Sequence, residues 1–144
     1  MPTTTLGASR SAVTALGIGT WSWGERIFWG YGKSYGLAQV KEAYEAALKA
    51  GITFFDTAEV YGLGESETLL GQFMQPPKPP VQIATKYGPL PWRTGVESVS
   101  EALTNSLKRL QLQQITLYQV HWPWTFLMSQ EKLIDALADE VEKG

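Results

Sequence analysis

A chain of 144 residues, 44% hydrophobic and 18% charged, has the size and balance of one globular domain, which excludes a disordered tail or a low-complexity array. Its 12 basic and 14 acidic residues are spread along the chain, so the formal charge of -2 offers no basic stripe to a phosphate backbone, and nucleic acid is not an expected partner. The absence of cysteine removes disulfides and thiolate chemistry, the single histidine leaves no His-rich metal site, and no apolar run is long enough to cross a membrane.

The start, Met1-Pro2-Thr3-Thr4-Thr5, lacks the basic and apolar regions of a signal peptide, so a soluble intracellular protein is expected. Residues 6–13 alternate around the turn Gly7-Ala8-Ser9-Arg10-Ser11 and predict a short hairpin. Residues 15–20 predict a buried strand, with Gly17 and Gly19 where another backbone or a ligand comes close. The loop that follows, about residues 21–36, holds Trp21, Trp23, Phe28, Trp29, Tyr31 and Tyr35. Loops of this length commonly act as lids or binding loops. The other reading is that these rings cover the end of the core.

Val40, Ala43, Tyr44, Ala47 and Leu48 recur at helical spacing, and Gly51 supplies a natural stop. Residues 52–56 form the second predicted strand, and residues 66–73 a short helix carrying Leu69, Leu70 and Phe73. Pro76-Pro77-Lys78-Pro79-Pro80 ends that helix as a stiff connector, since proline lacks the donor a helix needs. Residues 81–86 predict the third strand. Ser98-Val99-Ser100-Glu101 has capping-box spacing, so a helix is expected to start there, with Val99, Ala102, Leu103, Ser106, Leu107 and Leu110 as its buried stripe. Residues 115–121 predict the fourth strand. Ser129 is expected to cap a last helix whose inner face holds Leu133, Ile134, Leu137, Ala138 and Val141.

Four strands, each followed by a helix, form the pattern of a parallel α/β architecture, and periodicity fits an open sheet as well as a barrel. A glycine just after a helix normally announces another strand, so the chain is expected to stop in mid-pattern at Gly144. Three of the strands deliver polar groups to their carboxyl ends. Phe54-Phe55-Asp56-Thr57-Ala58-Glu59-Val60-Tyr61-Gly62 ends a strand in a carboxylate and places a phenol a few residues on. Gln82-Ile83-Ala84-Thr85-Lys86 ends in a lysine, and Leu117-Tyr118-Gln119-Val120-His121 in the only histidine. Loops leaving the carboxyl edge form the binding face of parallel folds, so Asp56, Tyr61, Lys86 and His121 make one candidate site. Singly, each has an ordinary reading as a cap, a packed turn aromatic, a solvated strand end or a half-buried histidine. Their shared edge favours a joint role.

Gly17-Ile18-Gly19-Thr20-Trp21, Phe55-Asp56-Thr57-Ala58 with Tyr61-Gly62, Ala84-Thr85-Lys86, Ser106-Leu107-Lys108-Arg109-Leu110 and His121-Trp122-Pro123, in this order, resemble the aldo-keto reductases. The Trp21-Ser22-Trp23-Gly24 loop is most similar to plant and cyanobacterial members, including pyridoxal-reductase-like ones. The resemblance implies an N-terminal hairpin plus the first four β/α units of an eight-stranded TIM (β/α) barrel, with residues 1–144 a single domain truncated before strand five. Such barrels typically run to about 250 residues.

The resemblance also implies NADPH/NADP+ as cofactor and a small-molecule carbonyl substrate, with aldehydes or ketones reduced to alcohols. Tyr61 would donate the proton and Lys86 would set an ammonium beside a phenol, a group that free in water titrates near about 10. Asp56 would hold Lys86, and His121 would orient the substrate oxygen. Trp21 and Trp122 would wall the substrate pocket, and the backbone around Gly19 and Thr20, with Trp21 and Asp56, would meet the nicotinamide end. By the same resemblance, the loops for the cofactor's phosphates and adenosine belong to the other half of the barrel, and no Gly-rich dinucleotide fingerprint replaces them here. A half barrel exposes two strand edges, which invite pairing with another chain. The alternative is therefore a non-catalytic assembly module that dimerises or binds a full-length relative. The expected compartment is the cytoplasm, or the plastid stroma if a transit peptide has been removed.

Overall fold

A computed structural model describes residues 1–7, 11–75 and 80–144. Strands β1 (Thr3–Leu6) and β2 (Ser11–Thr14) pair antiparallel as the expected hairpin, whose turn at residues 8–10 lies outside the described residues. The chain then alternates β3 (Gly17–Gly19), α1 (Leu37–Lys49), β4 (Phe54–Asp56), α2 (Glu65–Phe73), β5 (Gln82–Tyr87), α3 (Glu97–Leu110), β6 (Leu117–Val120) and α4 (Gln130–Lys143). The proline connector lies outside the described residues at 76–79. Strands β3 to β6 form one parallel sheet in sequence order, with Gly19 opposite Asp56, Asp56 opposite Ala84 and Lys86 opposite Gln119.

Side chains alternate across a strand, so each sheet face has its own population. Ile18, Phe55 and Ile83 turn towards the helices and join Tyr44, Leu70, Phe73 and Leu110 in one apolar cluster. Tyr87, Val99, Ala102, Met128 and Leu133 form a second under α3 and α4. Burying side chains such as Phe55 or Leu70, both 0% exposed, contributes about 1.5–3 kcal/mol each. The opposite face keeps Asp56, Lys86 and Gln119. Two apolar clusters therefore back one polar face.

Helices α2 and α3 approach unusually closely at Gly71, where a Cβ would collide with the backbone of Arg109 and Leu110. Between them Glu67, fully buried, accepts from Arg109 Nε at 2.7 Å and from the Thr85 hydroxyl at 2.5 Å, and Arg109 Nη2 donates to Ser106 Oγ at 3.3 Å. The Ser106-to-Leu110 segment is thus where α3 is pinned to α2 and β5.

Three expectations need correction. The capping box does not form: α3 begins at Glu97, and Ser98 lies inside its first turn. Its hydroxyl donates instead to Gly95 O at 2.7 Å and meets the buried Tyr87 hydroxyl at 2.9 Å, tying the helix to β5. In α4 only Leu133 and Ala136 are buried, whereas Ile134 and Val141 are 63% and 80% exposed. In α3, Leu103 and Leu107 are half-buried. With Leu137, Val141 and Ile115 they line an apolar groove of about 470 Å³ beside β6, whose outer edge has no partner strand among the described residues. The Ser129 cap does form, its Oγ accepting from Lys132 N at 3.3 Å.

Candidate active site

The site starts at the carboxyl end of β4. Asp56 Oδ2 accepts from Lys86 Nζ at 2.7 Å, and Asp56 Oδ1 accepts from Gln119 Nε2 at 3.1 Å. One carboxylate thus joins three neighbouring strands. Lys86 Nζ also donates to Thr57 O at 2.7 Å, so the ammonium is held from two directions, with only 13% of its side chain exposed. Charge-assisted hydrogen bonds of this length are about twice as strong as neutral ones.

Past β4, Tyr61 opens a one-turn helix in which Gly62, Leu63 and Gly64 all adopt left-handed backbone conformations. That run turns the chain sharply into α2. Gly62 also lies against the loop after β3, since a Cβ there would stand 2.7 Å from Gly24 O. The turn sets the Tyr61 ring under the ammonium, with Lys86 Nζ 5.0 Å from the ring centroid. A cation over an aromatic face is attracted by the ring's electrons, which holds the Tyr61 ring against Lys86.

His121 follows β6 directly, its backbone N–H donating to Tyr87 O at 2.9 Å. Its imidazole meets Tyr61 edge-on, with centroids 5.5 Å apart, and stacks on Trp122 at 4.4 Å. Its Nδ1 is buried with no hydrogen-bond partner among the described residues. Burial and then the Lys86 cation push the imidazole below its ordinary pKa, against the opposing pull of Asp56 and Glu59. The neutral ring is therefore the form held beside Tyr61 near neutral pH.

Trp21 lies 6.2 Å from the Tyr61 ring and is 47% exposed. Gly19, level with Asp56 in the sheet, has nothing within 4 Å of where a Cβ would stand, so open space lies over the strand end. Thr20 is not presented to that space. Its N–H donates to Asp56 O at 2.9 Å, its hydroxyl bonds Ser66 Oγ at 2.7 Å, and its carbonyl accepts from Trp23 N and Ser66 Oγ. It positions Asp56 and Trp21 from beneath. Asp56, Tyr61, Lys86 and His121 are brought together at one edge of the sheet, with Trp21, Trp122 and Gly19 around them.

Two features escaped the sequence reading. Gln119, two residues before His121, shares a strand face with Leu117, and period-two counting from Leu117 points to it. Glu59 accepts from Arg93 Nη1 at 2.5 Å and Nη2 at 2.8 Å, and from Gly88 N at 2.6 Å, while Arg93 Nη1 also donates to Gly88 O at 2.6 Å. This fork ties the loop that carries Tyr61 to the loop after Lys86. No periodic signal connects Glu59 with a loop arginine 34 residues away.

Parallel β/α units with polar groups at their carboxyl edge define a parallel α/β architecture with its binding face at that edge, and comparison with known proteins narrows it. The aldo/keto reductase family model matches residues 15–144, and the chain belongs to that family. It is 37% identical over 145 residues to the chloroplastic pyridoxal reductase of Arabidopsis thaliana, covering 92% of this chain and 40% of that protein. Among solved structures it resembles the Klebsiella pneumoniae aldo-keto reductase in complex with NADPH, with a TM-score of 0.79 at 30% identity over 100% of this chain and 47% of that one. The holo form of a Bacillus halodurans aldo-keto reductase superposes with a TM-score of 0.83 at 27% identity, over 100% and 47% of the two chains. The chain spans less than half the length of these relatives.

Proposed function

We propose that this chain carries the proton-transfer site of an NADPH-dependent reductase of aldehydes or ketones. The observation that carries the reading is the convergence of Asp56, Lys86, Tyr61 and His121 on one sheet edge, beside open space over Gly19. The relatives' NADPH complex supports the choice of cofactor. Gly19, Asp56 and Trp21 are the residues here that would meet its nicotinamide end.

A bound nicotinamide would supply hydride to the carbonyl carbon. Tyr61 gives its hydroxyl proton to the carbonyl oxygen, completing the alcohol and leaving a phenolate that solvent reprotonates. Lys86, whose Nζ lies 5.0 Å from the Tyr61 ring centroid, sets a positive charge beside that phenolate, and Asp56 and Thr57 keep the ammonium in place. The neutral imidazole of His121 hydrogen-bonds the carbonyl oxygen and holds it towards Tyr61. The Glu59–Arg93 fork fixes the spacing of the two loops. The test is isotopic: with NADPH deuterated at its transferable position, one deuterium should appear on the carbinol carbon of the product. Alcohol formed without that label would sink the reading.

A second reading rests on the outer edges of β3 and β6, which have no partner strand among the described residues, and on the apolar groove beside β6. Edge strands of this kind pair readily with other chains. Light scattering on the purified chain should give twice the monomer mass if two copies close on each other; a monomer at high concentration discards it.

A further inference from the structure

Ser66, the second residue of α2, is 0% exposed and touches none of the groups that move a proton. A serine in the first turn of a helix ordinarily bonds the backbone of its own helix. Here every hydrogen-bond partner of its side chain lies on another element. The hydroxyl donates to Thr20 O at 3.0 Å, and stands 2.7 Å from Thr20 Oγ1 and 2.9 Å from Thr57 Oγ1. A hydroxyl carries one proton and two lone pairs, so with its own proton on Thr20 O it accepts from both threonines and its capacity is full. Thr20 and Thr57 are themselves 0% exposed, so neither hydroxyl has water to fall back on.

The two threonines follow β3 and β4 and lead to opposite charges of the site. Thr20 holds the backbone of Asp56, whose carbonyl accepts from Thr20 N at 2.9 Å and from Thr20 Oγ1 at 3.1 Å. Thr57 holds Lys86, its carbonyl accepting from Nζ at 2.7 Å. Thr57 is itself tied on two sides: its N–H donates to Ala84 O at 2.8 Å, and its hydroxyl bonds Ser66. Ser66 is thus the tie from the side of α2. That anchor is firm, because the next residue, Glu67, is held by Arg109 and Thr85. The turn before it includes Leu63 at a φ of 56°, a conformation costly for a residue with a Cβ, and this turn brings the start of α2 to both strand ends.

We infer that Ser66 is a positioning residue of the proton-transfer site: through Thr57 its hydroxyl aims a backbone carbonyl at Lys86 Nζ, and through Thr20 it fixes the strand end that carries Asp56. The link to proton transfer rests on the reductase reading, whereas the hold on Lys86 is read without turnover. Ser66→Ala removes one oxygen and leaves two buried threonine hydroxyls short of an acceptor. The Thr57 carbonyl is then free to turn away from Nζ, and the ammonium depends on Asp56 alone.

The experiment follows the ammonium protons of Lys86 by NMR in the isotope-labelled chain, with Lys86→Met assigning the signal. Held by Asp56 and Thr57, these protons should exchange slowly with water. Ser66→Ala should speed their exchange by about two- to tenfold, the range that the net loss of one hydrogen bond supplies. A hydroxyl that only stapled α2 to the sheet would lower stability and leave this rate unchanged. The control is Leu133→Ala, a truncation in the apolar cluster under α4, which should lower the urea midpoint and leave the Lys86 rate where it was. Thr57→Val removes only the hydroxyl that bonds Ser66 and should speed exchange as well; it decides if Ser66→Ala fails to fold. An unchanged rate in Ser66→Ala or Thr57→Val, an equal rise in Leu133→Ala, or no slowly exchanging Lys86 signal in the parent chain would overturn the inference. A rise confined to the Ser66 and Thr57 variants upholds the hold on Lys86 even where deuterium transfer fails, and that failure would count against the reductase reading alone.

Discussion

Replacing Arg109 with Met tests whether the α2–α3 pairing is organised around a buried charge. The Glu67 side chain is 0% exposed and Arg109 is 28% exposed, with Nε 2.7 Å from Oε2. Without the guanidinium, the carboxylate keeps only the Thr85 hydroxyl. Removing one partner of a buried pair typically costs about 3–5 kcal/mol, and the partial exposure of Arg109 places this case near about 3 kcal/mol. With a urea slope of about 2 kcal/mol/M, the unfolding midpoint should drop by about 1.5 M. The control is the same substitution in a Glu67→Gln background. There no charge is stranded, so Arg109→Met should cost only about 1 kcal/mol, and the cycle should show a coupling of about 2 kcal/mol. Urea unfolding followed by circular dichroism gives all four midpoints. A single-variant cost below about 1 kcal/mol, or equal costs in both backgrounds, would refute the reasoning.

Lys86→Met removes the cation above the Tyr61 ring and leaves Asp56 to Gln119 alone, so carbonyl reduction in a barrel-closed form should slow by about 10²-fold; an unchanged rate across pH would remove Lys86 from the site. NADPH should bind this chain weakly, because the described residues include no Gly-rich phosphate cradle; a dissociation constant of about 1 μM by fluorescence titration would contradict that. His121 carries a pH signature. Its folded-state pKa lies below the ordinary 6.5, so the unfolded chain binds the proton first and stability falls as pH drops through and below that value. His121→Gln should flatten this slope between about pH 7 and about pH 5.5 in urea unfolding; an equally steep slope would show that other groups carry it.

Most of the fold is legible in the sequence because alternation and helical spacing act locally. The strands that bring Asp56, Lys86 and His121 to the carboxyl edge are such cases, and parallel register then brings their ends together without further information. What escaped is set by non-local partners. Ser98 has the spacing of a cap, yet its hydroxyl is taken by Gly95 and Tyr87. Ile134 and Val141 follow helical spacing, yet the face of α4 that packs inward is the one holding Leu133 and Ala136. Arg109 stands within a quoted motif while its partner, Glu67, is 42 residues earlier with no pattern linking them. Glu25 accepts from the amides of Ile27, Phe28 and Trp29, which no spacing announces, since a glutamate in an aromatic loop has the same sequence appearance whether it faces water or three amides.

The most direct measurement is steady-state reduction of a reactive aldehyde by Tyr61→Phe, made in the barrel-closed form that turns over, whether a longer chain containing these residues or a complemented assembly. The substitution removes one hydroxyl and keeps the ring that meets Trp21, Lys86 and His121. General acid catalysis contributes about 10²- to 10⁴-fold, so the rate should fall by that factor while the NADPH dissociation constant stays within about twofold. A variant that keeps more than about half of the parent rate would contradict Tyr61 as the proton donor and pass that role to His121.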